Sequence, residues 1–120
     1  MINKEVLQED VVKKIENDYP EMTNEFKKIV SEQYLLFCKK QTDYGPTNIS
    51  LGTKLDNPDD VNLSITGIWF RMNDKIQRLK QLVLLKKNQN VNDESTTDTF
   101  KDLSNYSIIS QIIVNNTWGE

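Results

Sequence analysis

Residues 71–106 read RMNDKIQRLKQLVLLKKNQNVNDESTTDTFKDLSNY, and this stretch decides which fold we expect. Its first half has the spacing of a helix that carries Arg71, Lys75 and Arg78, with Asp74 among them. A short polar loop leads to three carboxylates, which are Glu94, Asp98 and Asp102. Cations and carboxylates on two neighbouring helices suit a phosphorylated ligand that a divalent metal bridges to the protein.

Two amphipathic helices are predicted ahead of this stretch. The first covers residues 4–19 and stops where Pro20 interrupts the backbone hydrogen bonds. The second covers about residues 21–41, and its apolar face also contains Gln33 and Lys40. Lys40 could carry a function there or reach water from the helix end, and both interpretations stay open.

A long third helix and a fourth follow. The Gly45-Pro46 pair and its small polar neighbours predict a loop from Thr42 through about residue 56. Asn57-Pro58 then has the pattern of an N-cap followed by proline, which opens a helix as far as residue 87. Its apolar stripe comprises Ile65, Ile68, Trp69, Met72, Ile76, Leu79 and Val83. The last helix begins between residues 92 and 95 and runs to about residue 115.

The pattern predicts an all-α architecture. Four helices with a long second connection form one domain over residues 1–120, since this length supports a single core. No stretch approaches the apolar length of a membrane span, so a cytoplasmic protein without membrane contact is expected.

Composition excludes several kinds of chemistry. The chain has no His and one Cys, Cys38, which removes serine-hydrolase, cysteine-protease and ordinary zinc sites. Carboxylates, amides and hydroxyls remain as metal ligands, and they favour Mg²⁺ or Mn²⁺. The formal charge of −3 and the pI near 5.0 argue against general nucleic-acid binding.

The carboxylates of the last helix have two explanations. Asp98 and Asp102 lie about 6 Å apart along one face, which they share with Asn105, Ile109 and Ile112. Facing inward, they would need a compensating cation, either a metal or an arginine such as Arg71 or Arg78. Acidic residues near a helix N-terminus also stabilise its dipole, which alone could account for Glu94 and Asp98.

Two further features of the pattern have alternatives. Arg71, Asp74 and Arg78 share one side of the third helix, as an exposed ion-pair ladder or as a phosphate-facing surface. Tyr44 and Trp69 offer stacking surface for a base, although the helical spacing of Trp69 favours a core position.

A resemblance to a known family adds to these patterns. The residues that carry it form three elements in order, Lys40-x-x-Asp43-Tyr44-Gly45, Arg71-x-x-Asp74-Lys75-x-x-Arg78-Leu79 and Glu94-Ser95-x-x-Asp98-Thr99-x-x-Asp102-Leu103-x-Asn105-Tyr106. Together, within residues 37–109, they resemble the nucleotide modification associated domain 1 family, often found in phages and bacteria. That family is similar to the all-α NTP pyrophosphatases of the MazG and dimeric dUTPase type.

The resemblance implies a MazG-like helical bundle of about four helices. It implies a nucleoside phosphate bound through Mg²⁺ (or Mn²⁺), a homo-oligomer (dimer or tetramer) that completes the site, and, for a phage protein, the host cytoplasm. The implied metal ligands are Glu94, Asp98, Asp102 and Asp74, with Asp74 and Glu94 catalytic. The implied phosphate- or nucleotide-binding residues are Lys40, Asp43, Tyr44, Arg71, Lys75, Arg78, Asn105 and Tyr106.

One departure from the pyrophosphatases bears on activity. They carry a Glu-Glu-x-x-Glu motif, whereas Glu32-Gln33-x-x-Leu36 keeps only the first acid, unless Asp74 or Glu25 replaces the missing ones. The first functional hypothesis, which follows from the resemblance, is a Mg²⁺-dependent nucleoside triphosphate pyrophosphohydrolase that cleaves between the α- and β-phosphates. The second is a non-catalytic protein that sequesters a nucleotide or cyclic nucleotide, as in phage counter-defence. A third is a purely structural helical interaction protein.

Overall fold

A computed structural model of the protein describes residues 4–90 and 95–120, with side chains from Leu7 onwards. These residues form α-helices, one π-helical turn and connecting loops, and no strand occurs among them. The elements are α1 (Lys4–Asp18), α2 (Pro20–Tyr44), α3 (Thr47–Ser50), α4 (Pro58–Leu79), a π-helical turn (Lys80–Leu84) and α5 (Thr96–Val114). The predicted all-α class is confirmed, while the predicted MazG-like arrangement stays a prediction.

The chain divides into two compact units, an N-terminal unit Met1–Cys38 and a C-terminal unit Lys39–Glu120, with the boundary inside α2. In the N-terminal unit, Gln33 is the buried residue among the described side chains. The predicted inward position of this polar residue is therefore confirmed. The prediction of a single domain stays a prediction.

The core of the C-terminal unit lies between α4 and α5. Its buried apolar side chains are Ile49, Ile68, Ile109 and Ile113. Ser64 and Thr99 are also buried, and both of their hydroxyl groups donate to backbone carbonyls. Ser64 Oγ donates to Ile49 O at 2.7 Å and thereby ties α3 to α4. Burying these hydroxyls is tolerated because each one is hydrogen-bonded.

Both predicted helix starts in this unit are confirmed, and capping chemistry explains each one. Asn57 accepts a hydrogen bond from the backbone N–H of Asp60 at 2.9 Å, and Pro58 occupies the first turn of α4. Ser95 caps α5 in the same way, through the backbone N–H of Asp98. These local signals identify the first residues of a helix independently of the packing.

Three predicted boundaries differ from the structure. α2 continues through Tyr44 before the Gly45-Pro46 pair interrupts it, and α3 forms within the predicted loop. The third helix stays α-helical only to Leu79 and then widens into the π-helical turn Lys80–Leu84, short of the predicted residue 87. The hydrogen bond from Leu85 N to Lys80 O, at 3.0 Å, is the wider i→i−5 type.

The predicted apolar stripe of the third helix is only partly buried. Ile68 is 2 % exposed, whereas Trp69 is 58 % exposed and Ile76 is 51 % exposed. The expected core position of Trp69 is therefore wrong. The cause is rotational phase: Ser64 and Ile68 face the core, so the side of the stripe that contains Trp69 and Ile76 points away from it.

None of the described helices combines the length and the apolar character that a membrane span needs.

Candidate functional site

A carboxylate between two lysines is the centre of the candidate site. Lys40 Nζ, near the end of α2, lies 3.0 Å from Asp102 Oδ1 on α5. Lys75 Nζ on α4 lies 3.1 Å from Asp102 Oδ2. The Asp102 side chain is 15 % exposed, that of Lys75 is 21 % exposed and that of Lys40 is 43 % exposed. One carboxylate thus joins three helices, with both of its oxygens in ion pairs.

Two arginines extend the positive charge along α4. Arg71, Lys75 and Arg78 lie on one side of this helix, because each residue turns it by about 100°. We call Lys40, Arg71, Lys75 and Arg78 the basic cluster. Arg71 Nη2 also approaches Asn48 O at 3.5 Å, toward α3. Asp74 lies on the same side of α4 as Arg71 and Arg78, and Asp98 lies in the field of Lys40, so four cations stand among three carboxylates in a chain whose formal charge is −3.

Asp98 has a different position from the predicted one. Its carboxylate accepts a hydrogen bond from the backbone N–H of Ser95 at 3.2 Å, and Asp98 N donates to Ser95 Oγ at 3.0 Å. This reciprocal capping box leaves Asp98 exposed at the start of α5. The prediction that Asp98 points inward is therefore wrong, and the helix-end explanation accounts for this residue.

The electrostatics of Asp98 follow from this capping box. The backbone hydrogen bond from Ser95 is the largest cause that lowers the pKa of Asp98 below its ordinary value of 3.8, followed by the Ser95 side chain. Slight burial acts in the opposite direction, and the positive charges of Lys101 and Lys40 lower the pKa further. Lys40 therefore acts on Asp98 as well as on Asp102, which places both aspartates in its field.

The described carboxylates do not fit a divalent-metal site by themselves. Asp102 uses both oxygens in ion pairs, Asp98 caps α5, and Asp74 is exposed on α4. Glu94, the fourth predicted ligand, lies outside the described residues. Within residues 7–90 and 95–120 no three metal-ligating side chains come together. Binding of Mg²⁺ or Mn²⁺ stays a prediction, and so does the catalytic role of Asp74 and Glu94.

The remaining predicted ligand-binding residues occupy two places. Asp43 and Tyr44 are exposed at the C-terminal end of α2, a few residues beyond Lys40. Asn105 is buried on α5, within one turn of Asp102, and the next residue, Tyr106, is half-buried. Of the predicted ligand-binding residues, the structure brings Lys40 and Lys75 together at Asp102. Tyr44 lies on an exposed surface, where its ring is accessible to a base.

The structure also shows polar residues that the sequence patterns did not indicate. Trp118 Nε1 donates to Pro46 O at 2.9 Å and holds the segment after α5 against the loop after α2. Gln77 and Gln81 line a pocket at the end of α4 together with Arg78. Gln81 lies one helical turn after Arg78, and this spacing could have indicated that the two side chains are neighbours. The loop that follows folds back beside them, and no periodic pattern in the sequence indicates that.

The comparisons agree with this division of the chain. The model of the family described as nucleotide modification associated domain 1 matches residues 40–114, which is more than half of the 120 residues. The match begins at Lys40 and includes the entire basic cluster and Asp102. No curated protein and no solved structure matches the chain significantly. The chain belongs to the nucleotide modification associated domain 1 family.

Proposed function

We propose that the C-terminal unit binds a nucleotide through its phosphates at the basic cluster. The observation that carries this proposal is the placement of Lys40 and Lys75 on the two oxygens of Asp102, at 3.0 and 3.1 Å. Family membership supports a nucleotide as the ligand, because the matched residues include all four cations. The unequal numbers of cations and carboxylates favour an anionic ligand at this place.

Asp102 has a defined part in this proposal. A lysine ammonium on a flexible stem loses side-chain entropy when it binds a phosphate, and a fixed carboxylate removes part of that cost in advance. Asp102 would therefore hold the ammonium groups of Lys40 and Lys75 in position beside the ligand. Since Asp102 itself repels phosphate, the phosphates would lie on the side of the lysines that faces away from it.

The arginines would add geometric selectivity. A guanidinium group donates two parallel hydrogen bonds to one phosphate, whereas an ammonium group acts as a point charge. Arg71 and Arg78 stand one turn before and one turn after Lys75 on α4. A chain of phosphates along this side of α4 could therefore meet a cation at each turn.

Binding without hydrolysis is better supported than pyrophosphohydrolysis. The described residues supply groups that neutralise phosphate charge, but their carboxylates do not form the metal site that the hydrolytic reaction requires. Similarity to the MazG and dimeric dUTPase enzymes stays a prediction. In the binding proposal Mg²⁺ would arrive as the counter-ion of the nucleotide.

One experiment distinguishes these possibilities. The protein is incubated with nucleoside mono-, di- and triphosphates and with cyclic nucleotides, each with and without Mg²⁺, and the products are separated by chromatography while binding is measured by calorimetry. We expect binding with the ligand recovered intact. Release of pyrophosphate would show that the chain is a hydrolase, and absence of binding to every ligand would contradict the nucleotide proposal.

We also propose that the chain forms a homo-oligomer through the outward face of α4. Leu63, Trp69, Phe70 and Ile76 are each at least half exposed on that face. The charged residues that border this face on α4 are Asp59, one turn before Leu63, and Asp74, one turn after Phe70. An apolar face can pack against its own copy, and covering it removes large side chains from water.

A further inference from the structure

A pocket of about 450 Å³, open to solvent and with a mostly apolar surface, lies where the π-helical turn ends α4. Five carboxamide side chains line it, including Gln77, Gln81 and Asn88, together with the cations Arg78 and Lys87 and the apolar side chain of Leu82. Its volume is within the range of small-molecule sites. Neither the sequence patterns nor the family match assigns a role to this pocket.

The backbone conformation at the end of α4 forms the pocket. Leu85 N donates to Lys80 O and Lys87 N donates to Gln81 O, both at 3.0 Å. Lys86 has a φ of 51°, a left-handed conformation that reverses the chain. Residues 87–90 therefore return beside residues 77–82, and their side chains form the second wall.

Arg78 connects the pocket to the basic cluster. It belongs to the cation-bearing side of α4 and also lines the pocket, one turn beyond Lys75. Gln81 lies about 9 Å from Lys75 along the helix axis. A ligand with phosphates at Lys75 and Arg78 could therefore place its remaining part among the carboxamides.

The lining has the chemistry of a nucleobase site. Phosphate requires hydrogen-bond donors, whereas a carboxamide offers a donor and an acceptor side by side. The edges of nucleobases also carry neighbouring donors and acceptors, which carboxamide side chains can pair with. The rest of the pocket surface, which includes Leu82, is mostly apolar and suits the face of a base. We infer that this pocket takes the base of the nucleotide whose phosphates occupy the basic cluster, an inference that rests on the proposed function.

The test compares ligands with and without a base. Calorimetry measures the affinity of the full chain for inorganic tripolyphosphate and for nucleoside triphosphates with each of the common bases. We expect the best nucleotide to bind more tightly than tripolyphosphate. In the double variant Gln77→Ala/Gln81→Ala, loss of two hydrogen bonds should lower the affinity for that nucleotide by about tenfold or more. The affinity for tripolyphosphate should stay unchanged.

Two further variants separate the base from the phosphates. Lys75→Ala should lower the affinity for tripolyphosphate and for nucleotide alike, because both ligands place phosphate at that residue. Gln81→Glu keeps the shape of the side chain, removes the donor and should change the order of preference among the bases. Gln111→Ala is the control, since Gln111 is exposed on α5 and its side chain donates to Ser107 O.

Each outcome bears on one proposal. If every nucleotide binds with the affinity of tripolyphosphate and the glutamine variants change nothing, the base pocket is overturned while phosphate binding stands. If the glutamine variants lower the affinity for tripolyphosphate as much as the affinity for nucleotide, the pocket is a phosphate site and the inference of a base pocket is wrong. If neither ligand binds the unmodified protein, the proposed function fails and the inference fails with it.

Discussion

Lys75 Nζ lies 3.1 Å from Asp102 Oδ2, so α4 and α5 are joined by an ion pair at the centre of the basic cluster. The same carboxylate receives a hydrogen bond from Lys40 Nζ at 3.0 Å, across 62 residues of sequence. Both oxygens of Asp102 thus interact with lysines, which is the arrangement expected of an anchoring residue. A metal ligand would need at least one oxygen directed toward the ion.

Asp102→Asn should destabilise the protein without metal. The substitution keeps the shape but leaves two half-buried lysines without their carboxylate, which we expect to cost about 1–2 kcal/mol because the pair is partly screened by water. Thermal melts with and without Mg²⁺ and nucleotide measure the effect. Asp10→Asn, which changes an exposed aspartate on α1 with no predicted role, is the control and should melt like the parent.

The opposite result for Asp102→Asn would support the metal-site interpretation. In that case the variant would melt at or above the parent temperature without metal, because repulsion among carboxylates is relieved. It would also lose the additional stability that Mg²⁺ and nucleotide give to the parent.

Lys40→Ala should weaken nucleotide binding, and Lys39→Ala should not. The two lysines are neighbours on α2, but Lys40 pairs with Asp102 while Lys39 is exposed. Loss of one charge-assisted phosphate contact costs about 1.5–3 kcal/mol, equivalent to roughly a tenfold to hundredfold loss of affinity. Calorimetric titration measures both variants. Equal binding by the two would remove Lys40 from the phosphate site.

The contribution of Asp98 to stability should disappear in acid. Its hydrogen bonds from Ser95 lower its pKa below the ordinary value of 3.8. A lowered folded-state pKa means that the ionised form stabilises the fold, so this stability is complete above pH 3.8 and is lost as the pH falls below it. The parent should melt above Asp98→Asn at pH 6, and the difference should shrink at pH 3. A difference that stays constant between these pH values would show that the carboxylate charge is not responsible.

Trp69→Glu should dissociate the proposed oligomer. Trp69 lies on the outward apolar face of α4 and is 58 % exposed, so a carboxylate there would place two negative charges near each other across a symmetric contact. Light scattering at micromolar concentration should show at least a dimer for the parent and a smaller species for the variant. Phe100→Glu changes a similarly exposed aromatic residue on α5 and should leave the oligomer intact. A monomeric parent would contradict the proposal.

Local chemistry explains the correct part of the sequence-based predictions. Asn57-Pro58 and Ser95 with Asp98 determine where α4 and α5 begin, because a cap satisfies backbone N–H groups within the same few residues. Helical periodicity predicted the all-α class, since the spacing of apolar residues depends only on the geometry of the helix itself. The family match rests on residues that the sequence displays directly, and it needs no knowledge of their positions in space.

The tertiary structure decided which side chains meet. Periodicity located an apolar stripe on α4, but Ser64 and Ile68 are the residues of this helix that are buried, and Trp69 lies outside the core. The sequence offers several cations that could pair with Asp102. Only the packed positions of α2, α4 and α5 show that its partners are Lys40 and Lys75. Such pairings depend on the rotation and separation of packed helices, which are set by the summed contacts of whole faces and have no counterpart in local sequence.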